Sequence, residues 1–125
     1  MGKSMLDFLG GEADRIHGPL DAVAYELAGG AAVFRDGYKL MKNNPPFGDK
    51  KWRLYRNSED PVEAKDLYGQ EPEIRAALIK AYERYAKDVN LIEVPDDYNP
   101  ITQVQKNVER NQAKEVLDKV PVTLE

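Results

Sequence analysis

The sequence predicts an α+β domain: a four-stranded antiparallel sheet covered on one face by a long helix, with a short N-terminal helix and an extra C-terminal helix. Three observations carry this. Between Ala22 and Tyr55, four short extended runs are separated by Gly29-Gly30, by Asp36-Gly37 and by a proline-containing stretch over residues 43–49. Over residues 72–89, apolar side chains recur at three- and four-residue steps. A further stretch, residues 101–117, follows Asn99-Pro100 with a sparser version of that period.

Taken in order, Ser4 suits the N-cap of a short amphipathic turn whose Met5, Phe8 and Leu9 share one face that docks on the core, and Gly10-Gly11 stops it. Residues 12–20 lack a period and contain Gly18-Pro19, so they read as a surface connection with His17 exposed in it. Val23, Tyr25 and Leu27 alternate with Ala24 and Glu26, the signature of a half-buried strand. Gly29-Gly30 permits the positive φ of a tight turn before a second strand over residues 31–35. Asp36-Gly37 is a strong type I′ hairpin signal and pairs that strand with residues 38–42. A loop over residues 43–49 leads to a fourth strand, residues 51–55, with Trp52 and Leu54 on one face and Lys51, Arg53 and Tyr55 on the other. Asp60-Pro61 fixes a turn, Val62 joins Trp52 and Leu54 as an apolar anchor, and residues 62–67 suit one helical turn.

The long helix begins with Glu71-Pro72-Glu73, proline in the first turn and acids against the helix dipole. Ile74, Ala77, Leu78, Ala81, Tyr82, Tyr85 and Val89 form the face that covers the sheet. Residues 91–95 read as extended. In the last helix only Ile101, Val104, Val108, Val116 and Leu117 are apolar, so it is expected to be marginal. Residues 120–123 read as tail and Leu124-Glu125 as a cloning remnant.

A chain of 125 residues with a hydrophobic share of 42% supports one modest core. The 18 Lys and Arg against 22 Asp and Glu give a net charge of −4, which argues against a whole-surface binder of nucleic acid or anionic membrane. Cysteine is absent, which excludes disulfides, thiolate zinc sites and a cysteine nucleophile, and the single histidine excludes an ordinary histidine metal cluster. The apolar patch near the N-terminus is broken by Asp7 and the glycines below signal-peptide length, and no transmembrane segment is expected.

Candidate chemistry is thin. Glu59, Asp60, Glu63 and Asp66 lie close together but read as turn caps, since their spacing neither holds two carboxylates across a sugar nor matches an EF-hand loop. Lys39, Lys42, Lys50, Lys51, Arg53 and Arg56 interleave with Phe47, Trp52 and Tyr55, yet strand alternation divides these aromatics between core and surface and denies nucleic acid a single platform. Neither glycine pair continues into a phosphate loop, and Ser4 and Ser58 have no base at useful spacing. No catalytic, cofactor-binding or metal-ligating residue is assigned.

The residues do resemble a known family. Gly2-Lys3-Ser4-Met5, then residues 21–27 (Asp-Ala-Val-Ala-Tyr-Glu-Leu) and 32–40 (Ala-Val-Phe-Arg-Asp-Gly-Tyr-Lys-Leu), are similar in order and spacing to the closing part of arylsulfatase-type sulfatases. Trp52-Arg53-Leu54-Tyr55, Asp60-Pro61-Val62-Glu63 and Asp66-Leu67 resemble that family's landmarks, and the Pro72 helix with Tyr85 resembles its last long helix. Ala31 and Tyr38 stand where the family commonly has a basic residue and tryptophan. The resemblance implies a sulfatase C-terminal-like subdomain over residues 1–95, with 96–125 a helical extension or tail. It implies a parent enzyme that hydrolyses sulfuric esters with formylglycine and a divalent metal such as calcium, both held by a large catalytic domain whose signature this chain lacks. The isolated chain is then expected to be inert, its partner the catalytic domain. Tyr25, Phe34 and Tyr38 are expected to be exposed where that domain docks, with weak self-association following. The alternative is a stand-alone interaction module that retains the fold.

Overall fold

The computed structural model describes residues 2–118. They form α1 (Leu6–Leu9), β1 (Val23–Leu27), β2 (Gly30–Arg35), β3 (Tyr38–Lys42), β4 (Arg53–Tyr55), α2 (Pro72–Asp88) and α3 (Pro100–Asp118). The strands make one antiparallel sheet in the order β1-β2-β3-β4. The chain divides into two compact units, one running to Glu93 and one starting at Val94.

Both hairpins turn on two residues with positive φ. Asp36 at 48° and Gly37 at 77° make the expected β2 to β3 turn and set Arg35 opposite Tyr38. Between β1 and β2 the turn residues are Ala28 at 53° and Gly29 at 81°, one position earlier than expected, so Leu27 faces Gly30. Gly30 pairs in the ladder opposite Leu27, at a place where a Cβ would meet Asn43 Oδ1 and Leu27 O, both at 3.3 Å. The buried Asn44 holds the turn by donating from Nδ2 to Ala28 O at 3.3 Å.

Helix α2 lies on one face of the sheet. Leu78 and Ala81 from the helix close a core with Val33, Leu40 and Leu54, and Ile74, Ile79, Tyr82, Trp52 and Tyr38 pack around it. Of these, Ile79 lies off the apolar stripe expected from the sequence. The helix ends at Asp88, with Val89 as an exposed C-cap residue outside the buried face expected for it. Asn90 then takes a φ of 51° and Leu91 N–H returns to Ala86 O at 2.8 Å, so residues 91–95 follow a helix end and form no strand.

Four further expectations are corrected. Helix α1 is a single four-residue turn with Met5, Leu6, Phe8 and Leu9 all exposed, so it does not dock on the core. A lone turn offers too short a stripe to bury, and Gly11 ends it at a φ of 76°. Strand β4 starts at Arg53 because Lys50 has a φ of 65° and Lys51 N–H is captured by Asp49 Oδ1 at 3.2 Å. No helical turn forms over residues 62–67: Glu63 sits at a φ of 59°, and the Asp60 carboxylate takes the Ala64 and Lys65 N–H groups at 3.1 and 2.9 Å. Val62 is 81% exposed and anchors nothing.

In the second unit, Asn99 caps α3 by accepting at Oδ1 from Ile101 N–H at 2.9 Å and Thr102 N–H at 3.3 Å. Ile101, Val104 and Val108 are exposed. Residues 120–125, expected as a tail and a remnant, lie outside the described residues, as do the side chains of Val116 and Leu117.

Candidate functional site

Three places gather side chains that chemistry or recognition would use: the sheet face away from α2, the corner after β4, and a cleft beside the β2 to β3 turn.

Pairing partners across a sheet share a face, so the register assigns the side away from α2. It carries Val23, Tyr25 and Leu27 from β1, Ala32 and Phe34 from β2, Lys39 and Met41 from β3, and Arg53 and Tyr55 from β4. Val23, Tyr25 and Leu27 are exposed, Leu27 at 77%. The Tyr25 and Phe34 rings stack with centroids 6.1 Å apart, and Lys39 Nζ stands 5.7 Å from the Phe34 ring centre. Tyr25 is therefore exposed and Phe34 half-buried on one apolar face. Tyr38 lies on the opposite face, packed against the core, and is removed from the expected trio.

The corner after β4 is built from the carboxylates that the sequence clusters. Asp66 Oδ1 accepts from Leu54 N–H at 3.1 Å and Tyr68 N–H at 2.9 Å, while Leu67 N–H donates to Leu54 O at 2.7 Å. These bonds saturate the outer edge of β4. Glu63 pairs with Lys39, and Glu59 with Arg56 at 3.0 Å. The N–H groups of Lys65 and Ala64 hold the Asp60 carboxyl below the usual carboxylate range. Tyr55, expected on the surface, is buried here, and burial raises its phenol above the ordinary value, with Asp66 adding to the shift.

The cleft, of about 680 Å³, is lined among others by His17, Asp21, Arg35, Tyr38 and Ser58. His17 is half-buried in it, a correction to its expected exposure, because residues 14–21 fold back along the turn. It also lies near two groups that sequence spacing did not connect to it, Asp21 and Ser58. Asp21 Oδ2 is already engaged by Lys3 Nζ and by Gly18 N–H at 2.8 Å, contacts that lower its carboxyl below the usual range. Among the described residues no hydrogen bond joins His17 to Asp21 or to Ser58, so the three side chains share the cleft without forming a hydrogen-bonded relay.

Four of the six clustered basic residues, Lys39, Lys42, Arg53 and Arg56, are engaged within the fold, whereas Lys51 stays exposed. Arg53 forms two bonds to Asp49, at 2.9 and 3.1 Å, which lower the Asp49 carboxyl. Lys42 Nζ stands 5.1 Å from the Trp52 ring centre and 5.6 Å from that of Tyr82, on the α2 side of the sheet, and Arg56 lies over Tyr38. Trp52 and Tyr82 meet edge to face at 5.1 Å. Among the described residues no group of three or more His, Cys, Asp or Glu is placed to hold a metal ion, and no helix is long and apolar enough to cross a membrane. No family model matches the chain.

Proposed function

We propose that this chain is the non-catalytic C-terminal subdomain of an arylsulfatase-type sulfatase, the parent enzyme hydrolysing sulfuric esters. The single observation that carries the reading is the pairing of that family's landmark residues with an apolar patch left exposed on the β1 side of the sheet face away from α2. Asp66 and Leu67 bond Leu54 in β4, Glu63 pairs with Lys39 in β3 and Asp60 caps the loop between them, while the sheet face away from α2 leaves Val23, Tyr25 and Leu27 exposed beside Phe34. An apolar sheet face of this kind suits a second layer of protein. In the parent, that layer is the catalytic domain, which holds the formylglycine and the divalent metal.

A stand-alone interaction module with the same fold is the second reading. It is favoured by a core, Val33, Leu40, Leu54, Leu78 and Ala81, that closes within the first unit. Assay of the purified chain on an arylsulfate with calcium tests the non-catalytic role common to both: no turnover is expected, and turnover above background overturns it. The genomic reading frame separates the two. An in-frame upstream segment encoding the cysteine or serine signature with its proline and arginine supports the sulfatase subdomain.

A further inference from the structure

We propose that two copies of this chain pair antiparallel through the outer edges of β1, centred on Tyr25, to make a continuous eight-stranded sheet. The proposal stands on the sheet edge and is independent of the sulfatase reading.

The two edges of the sheet differ. The β4 edge is closed by Asp66 and Leu67. Strand β1 ends the sheet on the other side, and among the described residues no backbone hydrogen bond crosses its outer edge. In a hairpin with a two-residue turn the flanking pair is hydrogen-bonded, so Leu27, Tyr25 and Val23 direct their N–H and C=O groups toward β2. Ala24 and Glu26 direct theirs outward. An edge of this kind is a template for another strand, and Val-Ala-Tyr-Glu-Leu carries no proline and no lysine, while its one charge, Glu26, is held in its own hairpin by the Gly29 N–H that donates to Oε1.

Self-complementarity selects the occupant and the register. Centring on Tyr25 sets Val23 against Leu27 of the second copy and Ala24 against its Glu26, so all five residues of β1 are paired. The outward groups of Ala24 and Glu26 then bond each other across the new seam. Centring on Glu26 would place two like charges directly opposite, which destabilises a strand pair. Centring on Ala24 would set Leu27 against Asp21, beyond the strand. In the Tyr25 register the two tyrosines form a non-hydrogen-bonded pair, with Cα atoms about 4.5 Å apart. Because Tyr25 already stacks on Phe34, the seam extends that contact into a row of four rings on the exposed face.

Sedimentation of the full chain at about 100 μM, a concentration that reads out a small interface, tests the pairing. The wild type is expected to sediment as a dimer of twice 14.1 kDa. Tyr25→Lys and Tyr25→Glu change an exposed side chain off the core and set like charges opposite each other, so each alone is expected to be monomeric. An equimolar mixture of the two variants is expected to recover the dimer. Circular dichroism of each variant checks that it retains the wild-type fold. A monomeric wild type, a dimer that persists in both single variants, or a mixture that stays monomeric overturns the proposal.

Discussion

Replacing Asp66 with alanine removes the acceptor that holds β4 to the chain following it. Asp66 Oδ1 takes two N–H groups, from Leu54 at 3.1 Å and Tyr68 at 2.9 Å. They differ in cost. The Tyr68 bond is exposed, and water replaces the lost acceptor there. The Leu54 N–H belongs to a residue with 0% exposure, and a buried donor left without a partner costs about 1–3 kcal/mol. Leu67 N–H still reaches Leu54 O at 2.7 Å, so the loop stays tethered and the loss remains within that range. With a slope of about 1–2 kcal/mol per M for a small domain, the urea midpoint falls by roughly 1 M at unchanged slope. Asp66→Asn keeps a carbonyl oxygen in place and should lose less than half as much. Equilibrium unfolding followed by Trp52 fluorescence measures both. An Asp66→Ala protein with the wild-type midpoint would refute the view that this carboxylate is architecture.

Other expectations follow from the same contacts. Gly37→Ala places a Cβ 2.7 Å from Ser58 Oγ and 3.1 Å from Ser58 Cβ at a φ of 77°, so it should cost about 1–2 kcal/mol in the same unfolding experiment. Leu40→Ala opens a cavity at a position with 0% exposure between sheet and helix, and thermal melting should register a loss of about 2–5 kcal/mol. The Asp60 carboxyl is lowered in the folded chain by the Lys65 and Ala64 N–H groups. Its contribution is therefore fully present above the unfolded value of about 3.9 and is lost as the pH falls through the folded one. Asp60→Asn removes that titration, so urea midpoints measured downward from pH 4 should decline less steeply in the variant than in the wild type.

Much of the sheet was legible because its turns are chemically explicit. Asp36-Gly37 fixed the β2 to β3 register, and the 3.6-residue period fixed α2 nearly to its ends. The β1 to β2 turn falls one position earlier than Gly29-Gly30 suggested, and the bond that holds it, from Asn44 to Ala28 O, comes from outside the turn. Alternation in β1 identified two sides but not which one the helix covers. That choice is made in β2, where Val33 enters the core, and the register then carries Ala24 inward with it and leaves Tyr25 outward. Tyr38 followed Leu40 to the helix side for the same reason. At the corner, Asp60 and Asp66 read correctly as turn caps, whereas Glu59 and Glu63 form ion pairs instead. Their long-range partners, Lys39 for Glu63 and Leu54 N–H for Asp66, depend on tertiary folding that no local pattern encodes. The cleft around His17 was invisible for the same reason, since its walls come from segments distant in sequence.

The central claim, that this chain is the closing subdomain of a sulfatase, is tested most directly by intact-mass and peptide analysis of the native protein from its source cells. The account predicts a polypeptide several times larger than 14.1 kDa, with peptides linking these residues to an upstream segment that carries the formylglycine signature. A native protein of 14.1 kDa that begins at Met1 would contradict it.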